Sequence, residues 1–240
     1  MHSCALIDRG VVYCWGYNQY GQLGTGDAVT RNAPALVTNL SNVSQLSLGG
    51  RSSCARLGDN KVLCWGSNGS GQLGNGSSTD SATPTAASTI SDSQSIALGK
   101  EHACSLTTMG SVECWGGNGL GQVGDGTTTN ALSPVAVPNL AQVSAIATGD
   151  FHTCALLKGG AVQCWGDNTY GQLGNGTTVG GQRVAVVGLT QAAVAIEAGG
   201  FHTCALLNDN SVACWGHNDR GQLGTGNETD SLVPVPVVGL

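Results

Sequence analysis

The sequence predicts an all-β protein: a β-propeller of five repeats of about fifty residues with four-stranded blades, one strand missing at the chain ends. Three observations predict it. Cysteines recur in pairs: Cys4 with Cys14, Cys54 with Cys64, Cys104 with Cys114, Cys154 with Cys164 and Cys204 with Cys214. Each pair is ten residues apart and starts fifty residues after the last. Around them, short runs alternate apolar with polar or small residues about a Gly-containing turn, the signal of strand–turn–strand. Four-stranded units at this period are a propeller signature.

The hairpin comes first in each repeat. The clearest copy runs from His152 through Cys154 and Gly160 to Trp165-Gly166. The sixth residue after the first cysteine is Gly10, Asn60, Gly110, Gly160 or Asn210. Glycine, and asparagine to a lesser degree, enters the left-handed region at low cost, and a three-residue hairpin loop requires such a residue at its last position. Opposed strand positions lie ~4.5–5.5 Å apart at Cα, within disulfide reach. Five hairpin disulfides and an oxidising compartment follow, placing the chain outside the cell, on its surface or in a periplasm. Ten cysteines in 240 residues fall below the ~8–10 % of scaffolds that depend on bridges for a core. The bridges therefore reinforce a buried core, each near the low end of the ~2–4 kcal/mol typical of disulfides because its loop is short.

After the hairpin comes Trp-Gly-x-Asn, then a glycine-rich turn, as in Trp15-Gly16-Tyr17-Asn18 and Gly21-Gln22-Leu23-Gly24. Trp15, Trp65, Trp115, Trp165 and Trp215 recur in phase with the glycines, which suits packing between neighbouring blades with each indole N–H finding an acceptor. The Gly-Gln-Leu-Gly run lacks the Lys-Ser/Thr and following helix of a phosphate loop; Gln22 is expected to cap nearby backbone groups. A polar stretch and a Pro-x-x-Val segment follow, then an alternating strand such as Val43–Leu48. In one unit the four expected strands are Val143–Thr148, His152–Leu157, Ala161–Trp165 and, from the segment before, Pro134–Val137. The repeats span about 1–40, 41–90, 91–140, 141–190 and 191–240, as one propeller over 1–240. The N-terminus starts inside a strand without a basic-then-apolar leader, as in a processed, truncated or recloned chain.

The combined motif, Trp-Gly-x-Asn-x-x-Gly-Gln-Leu-Gly-x-Gly with Ile146-Ala147-Thr-Gly149 and the His-x-Cys strand, resembles the regulator of chromosome condensation repeat family over the whole chain. The resemblance implies a β-propeller, usually of seven blades. The paired cysteines resemble bacterial secreted versions. Related propellers act as a nucleotide-exchange factor and as an inhibitor of a β-lactamase, so protein partners are implied, though no motif for either activity is present. Four departures stand out. Ser52 replaces the recurring histidine, Arg56 the recurring leucine, Arg183-Val184 the proline, and there are five units rather than seven.

Charge narrows the partners. The net charge of −6, with 9 Lys+Arg and no basic block, disfavours nucleic acid and anionic membrane surfaces. No run of eighteen apolar residues marks a membrane span. His102, His152 and His202 stand two residues before a cysteine, but the chain has no Cys-x-x-Cys and Ser52 breaks the set. Structural histidines bonding backbone are expected, with no metal and no cofactor. No nucleophile–base–acid set is apparent, so no catalytic residue is expected. Asn39, Asn42, Asn68, Asn75, Asn175 and Asn227 stand in glycan-acceptor sequons.

What varies between copies points to binding. Connections on a rigid scaffold commonly carry function, and aromatic and Arg residues are favoured interface anchors. Tyr17, Tyr20, Arg51, Phe151, Tyr170, Phe201 and Arg220 are the candidates for a binding face. The function expected is a secreted or cell-surface scaffold for another protein. The alternative is a structural subunit that self-associates through an unpaired blade edge; a propeller enzyme acting on glycans is third.

Overall fold

The structure, a computed structural model, describes residues 1–239; Leu240, the last residue of the fifth repeat, lies outside them. Five antiparallel sheets follow one another along the chain. The first has three strands, β1 (His2–Ile7), β2 (Val11–Gly16) and β3 (Arg31–Leu36). The second holds β4 (Val43–Leu48), β5 (Ser52–Leu57), β6 (Val62–Gly66) and β7 (Ser81–Ala86). The third holds β8 (Ser93–Leu98), β9 (His102–Thr107), β10 (Val112–Gly116) and β11 (Ala131–Ala136). The fourth holds β12 (Val143–Thr148), β13 (His152–Leu157), β14 (Val162–Gly166) and the short β15 (Val184–Ala185). The fifth holds β16 (Ala193–Ala198), β17 (His202–Leu207), β18 (Val212–Gly216) and β19 (Ser231–Pro236).

In every sheet the second and third strands of the repeat form the expected hairpin. Cys4 opposes Cys14 across the first, and Cys54 opposes Cys64 across the second. Cys104 faces Cys114 in the third, Cys154 faces Cys164 in the fourth, and Cys204 faces Cys214 in the fifth. All five pairs are disulfides, with Cα atoms 4.1 Å apart. That is slightly shorter than the ~4.5–5.5 Å expected of opposed strand positions. Cys64, Cys164 and Cys214 are buried, as are Cys14 and Cys114 on the same strand of their repeats. They are part of the packed core and not of any exposed site. The turn residues Gly10, Asn60, Gly110, Gly160 and Asn210 all have positive φ, from 66° at Asn60 to 82° at Gly160. These are local devices, and the sequence specifies them locally.

The outer strand differs from expectation. The segment at 134–137 does not complete the sheet that follows it. β11 pairs with β10, with Val135 opposite Cys114, and the fourth strand of the next sheet is Val184–Ala185, paired with β14 so that Val184 stands opposite Cys164. After the long loop the chain returns to the nearest open edge, that of the strand it has just left. The other edge of the hairpin is already taken by the inner strand. β15 is two residues long where the proline is replaced and Gly180-Gly181 enter.

The core is divided among the joints between sheets. Each of four buried clusters joins one sheet to the next and contains a tryptophan of the later sheet: Trp65, Trp115, Trp165 or Trp215. All four are fully buried. Each indole N–H donates to a carbonyl of the preceding sheet's loop, at Gln22, Gln72, Gln122 or Gln172, over 2.9–3.0 Å. Gly124 shows how tight the fit is: a Cβ there would stand 2.5 Å from Trp165 Nε1.

Contacts between sheets run from β1 to β4 and then along the inner strands β4–β8–β12–β16, and among the described residues no comparable contact returns from β16 to β1. Trp15 is only half-buried, and Gly224 packs on Val237 instead of an indole. The five sheets form an arc in these residues. Among them no helix is long and apolar enough to cross a membrane.

Candidate functional site

The face is set by strand direction. β6 ends where β5 begins, with Gly66 opposite Ser52, so the connections β4–β5 and β6–β7 emerge together. Ser67 N–H donates to Arg51 O (2.9 Å), and the later copies repeat this bond at Gly117, Asp167 and His217. This brings every candidate binding residue to one side of the arc.

An asparagine organises each long loop. Asn118 is fully buried. Its Oδ1 accepts from Val123 N–H (2.9 Å), and its Nδ2 donates to the carbonyls of Thr127 (3.1 Å) and Thr129 (3.0 Å). Asn18, Asn68, Asn168 and Asn218 do the same. Buried amides with every group bonded cannot carry glycans, so Asn68 is removed from the sequons. The glutamine side chain caps the turn as expected: Gln122 Oε1 accepts from Leu120 N–H at 2.9 Å.

On this frame stand two aromatic groups. Tyr17 and Tyr20 lie 6.2 Å apart, and the Arg51 guanidinium sits 4.8 Å above the Tyr20 ring and donates to its hydroxyl. The second group is larger. Phe151 and Phe201 are 6.3 Å apart, and Tyr170 meets Phe201 edge-on at 5.6 Å. Two residues outside the predicted set extend it: His217 lies 4.0 Å from Tyr170, and Lys100 Nζ caps Phe151 at 5.1 Å. The signal for His217 was its position, the same as Tyr17 in the repeat. Arg220 stays outside the group, largely exposed and 3.5 Å from Asp219. The five predicted aromatics are half-buried by one another rather than freely exposed.

His102 and His152 belong to the joints between sheets. His102 and His152 are buried and bond a side-chain hydroxyl of the next sheet, not backbone: Nε2 to Thr153 Oγ1 at 3.0 Å and to Thr203 Oγ1 at 2.9 Å. Each hydroxyl donates its proton to a carbonyl, of Gln122 and Gln172 respectively. The imidazole must therefore donate through Nε2–H, leaving Nδ1 an acceptor without a partner. Burial first, then the neighbouring histidine, lowers both pKa values to about 3. His202 is half-buried, with its pKa lowered by burial and then by His217. At the one joint where Ser52 replaces histidine, Ala103 replaces the hydroxyl. The cysteine sulfurs, all in disulfides, offer no thiolate.

A family model described as the RCC1-like domain matches residues 1–240. Among curated proteins, the human probable E3 ubiquitin-protein ligase HERC4 is 42% identical over 55 residues, 22% of this chain and 5% of that protein. The E3 ubiquitin-protein ligase MYCBP2 of Danio rerio is 49% identical over 43 residues, 18% of this chain and 1% of that protein. Among solved structures, human WBSCR16 superposes with a TM-score of 0.88 at 24% identity, covering 99% of this chain and 65% of that one. Prp20p from Saccharomyces cerevisiae, studied with its binding to Gsp1p and histones, gives 0.84 at 25% identity, covering 100% and 64%. The chain thus spans under two thirds of these structures and a small fraction of the ligases.

Proposed function

The chain belongs to the RCC1-like domain family, and from that premise we propose that it is a non-enzymatic scaffold that binds another protein through its loop face. One observation carries this reading. The joints repeat while the loop positions vary, and at the last joints that variation gathers Phe151, Tyr170, Phe201 and His217 into one half-exposed patch. Rigid aromatic surface of this kind anchors interfaces. The five disulfides suit an oxidising compartment, and the proposed setting is extracellular, cell-surface or periplasmic.

The test is capture from the native surroundings with three proteins: the unaltered chain, Tyr170→Ala/Phe201→Ala, and Tyr17→Ala/Tyr20→Ala. A partner held by the first and third but lost by the second supports the reading. Equal capture by all three refutes it.

A second reading, chain-to-chain assembly, has its own observation. Among the described residues the inner edge of β1 has no strand beside it, and Leu6 and Ile7 on it are 38% and 50% exposed. Unpaired edges template strand addition. Light scattering that shows only monomer at high concentration would rule it out.

A further inference from the structure

The fourth repeat breaks the pattern at its joint with the third, and the break opens a crevice. At the other joints the loop glycine meets an apolar side chain of the next sheet: Gly21 meets Ala82, Gly71 meets Leu132, and Gly171 meets Leu232. At this joint Gly121 meets only the backbone of Gly181. Gly180 allows it, since a Cβ there would stand 2.5 Å from Gly166 O. The backbone bond that ties the loop at those three joints, for example Gly76 N–H to Leu132 O at 2.8 Å, has no counterpart at Gly126 among the described residues. The space left is about 300 Å³, walled by Leu120 on one side and by Gly166, Asp167 and Thr178 on the other.

Its chemistry is specific. Asp167 is the one charged residue lining it. The carboxylate accepts from Thr169 and from Gln172, but no cation among the described residues lies within ion-pair distance. Two aspartates in the neighbouring connections differ: Asp150 has Lys100 and Asp219 has Arg220. Arg183, close in sequence, is held by the carbonyls of Pro138 and Asn139. Leu120, 46% exposed, offers an apolar wall for a methylene stem. The volume is at the bottom of the ~300–1,000 Å³ range of small-molecule pockets, which suits one long side chain.

We propose that this crevice receives an arginine or lysine side chain of the partner polypeptide, its stem along Leu120 and its charge against Asp167. Basic side chains bind this way, with the apolar stem covered and the head paired. Asp167 N–H donates to Phe151 O (2.9 Å), so the crevice opens beside the aromatic patch. This inference rests on the loop face being the docking surface and adds the chemistry of what docks there.

The test uses the isotope-labelled full chain and amide NMR with three probes: N-acetyl-arginine amide, its neutral isostere N-acetyl-citrulline amide, and N-acetyl-glutamate amide. The arginine probe is expected to shift amides at 166–169 and 180–181. Citrulline should bind more weakly by up to about five-fold, the scale of a partly exposed ion pair, and glutamate should not bind. Asp167→Asn should bring arginine down to the citrulline level, and Thr178→Trp, at the exposed rim, should block it. Equal binding of arginine and citrulline, or an unchanged affinity in Asp167→Asn, overturns the proposal. Capture lost in Tyr170→Ala/Phe201→Ala with no arginine shifts refutes the crevice and leaves the aromatic face standing. Arginine shifts lost in Asp167→Asn, with capture untouched by the aromatic variant, support the crevice and refute aromatic docking.

Discussion

Trp115→Phe and Trp165→Phe should differ in cost, although the two indoles look alike in sequence. Both are fully buried and both donate to a glutamine carbonyl, Gln72 O at 3.0 Å and Gln122 O at 2.9 Å. The volume lost on substitution is the same and cancels in the comparison. The carbonyls differ. Gln122 O also accepts the Thr153 hydroxyl at 2.9 Å, so Trp165→Phe removes one of two bonds, at about 0.5–1.5 kcal/mol. Ala103 stands where Thr153 stands in the next repeat, so Trp115→Phe leaves Gln72 O with no donor. An orphaned buried acceptor costs about 1–3 kcal/mol, putting the difference on the order of 1 kcal/mol. For a chain of this size that is roughly 2–4 °C in Tm. Thermal denaturation followed by far-UV circular dichroism reads it without relying on the altered fluorophores. Ala103→Ser in the Trp115→Phe background should recover part of the loss, because Ser53 makes this bond to Gln22 O at 3.0 Å. Equal losses at the two sites, or no recovery, would refute the assignment of the hydroxyl as a second donor in each joint.

The buried histidines make stability depend on pH. Folded His102 and His152 protonate near 3, against about 6.5 when unfolded. Below pH 6.5 the unfolded chain takes up protons that the folded chain refuses, so stability is full above 6.5 and falls as pH drops toward 3. By pH 5 the two together should cost on the order of 4 kcal/mol, read as a falling urea midpoint; a flat midpoint between pH 7 and 5 contradicts their burial as neutral groups. Asn118→Ala strips Val123 N–H and the Thr127 and Thr129 carbonyls of their partner. It should cost about 2 kcal/mol and speed hydrogen exchange across 118–130; unchanged exchange would argue against the asparagine as organiser. Cys4 and Cys204 are half-buried, while their partners Cys14 and Cys214 and both members of the other three bridges, Cys64 and Cys164 among them, are buried. The native chain should therefore resist alkylation after mild reductant. Its intact mass should be ten hydrogens below the reduced chain, and free thiols in the native protein would count against the bridges.

Structure formed among close neighbours in the chain is legible in the residues alone. Alternation, the Gly or Asn at the turn and the ten-residue cysteine spacing are all resolved inside one hairpin, so strands, register and disulfides were legible. The position of Tyr17, Phe151, Tyr170 and Phe201 in the variable connections was legible too, because a repeat makes its own departures visible. The joints were not. Their bonds link side chains to groups 31, 43 and 51 residues away, as Thr153 to Gln122 O, Trp165 to Gln122 O and His102 to Thr153. Ser52 was visible as a departure, but its match at Ala103 required knowing which residues face each other between sheets. The outer strand could pair with the sheet before it or the one after, and alternation alone does not distinguish the two edges. His217 on Tyr170, and the crevice at Gly180-Gly181, exist only because consecutive sheets bring separate loops together. Local geometry is encoded in neighbouring residues; contact between blades is set by packing, which only the folded chain reveals.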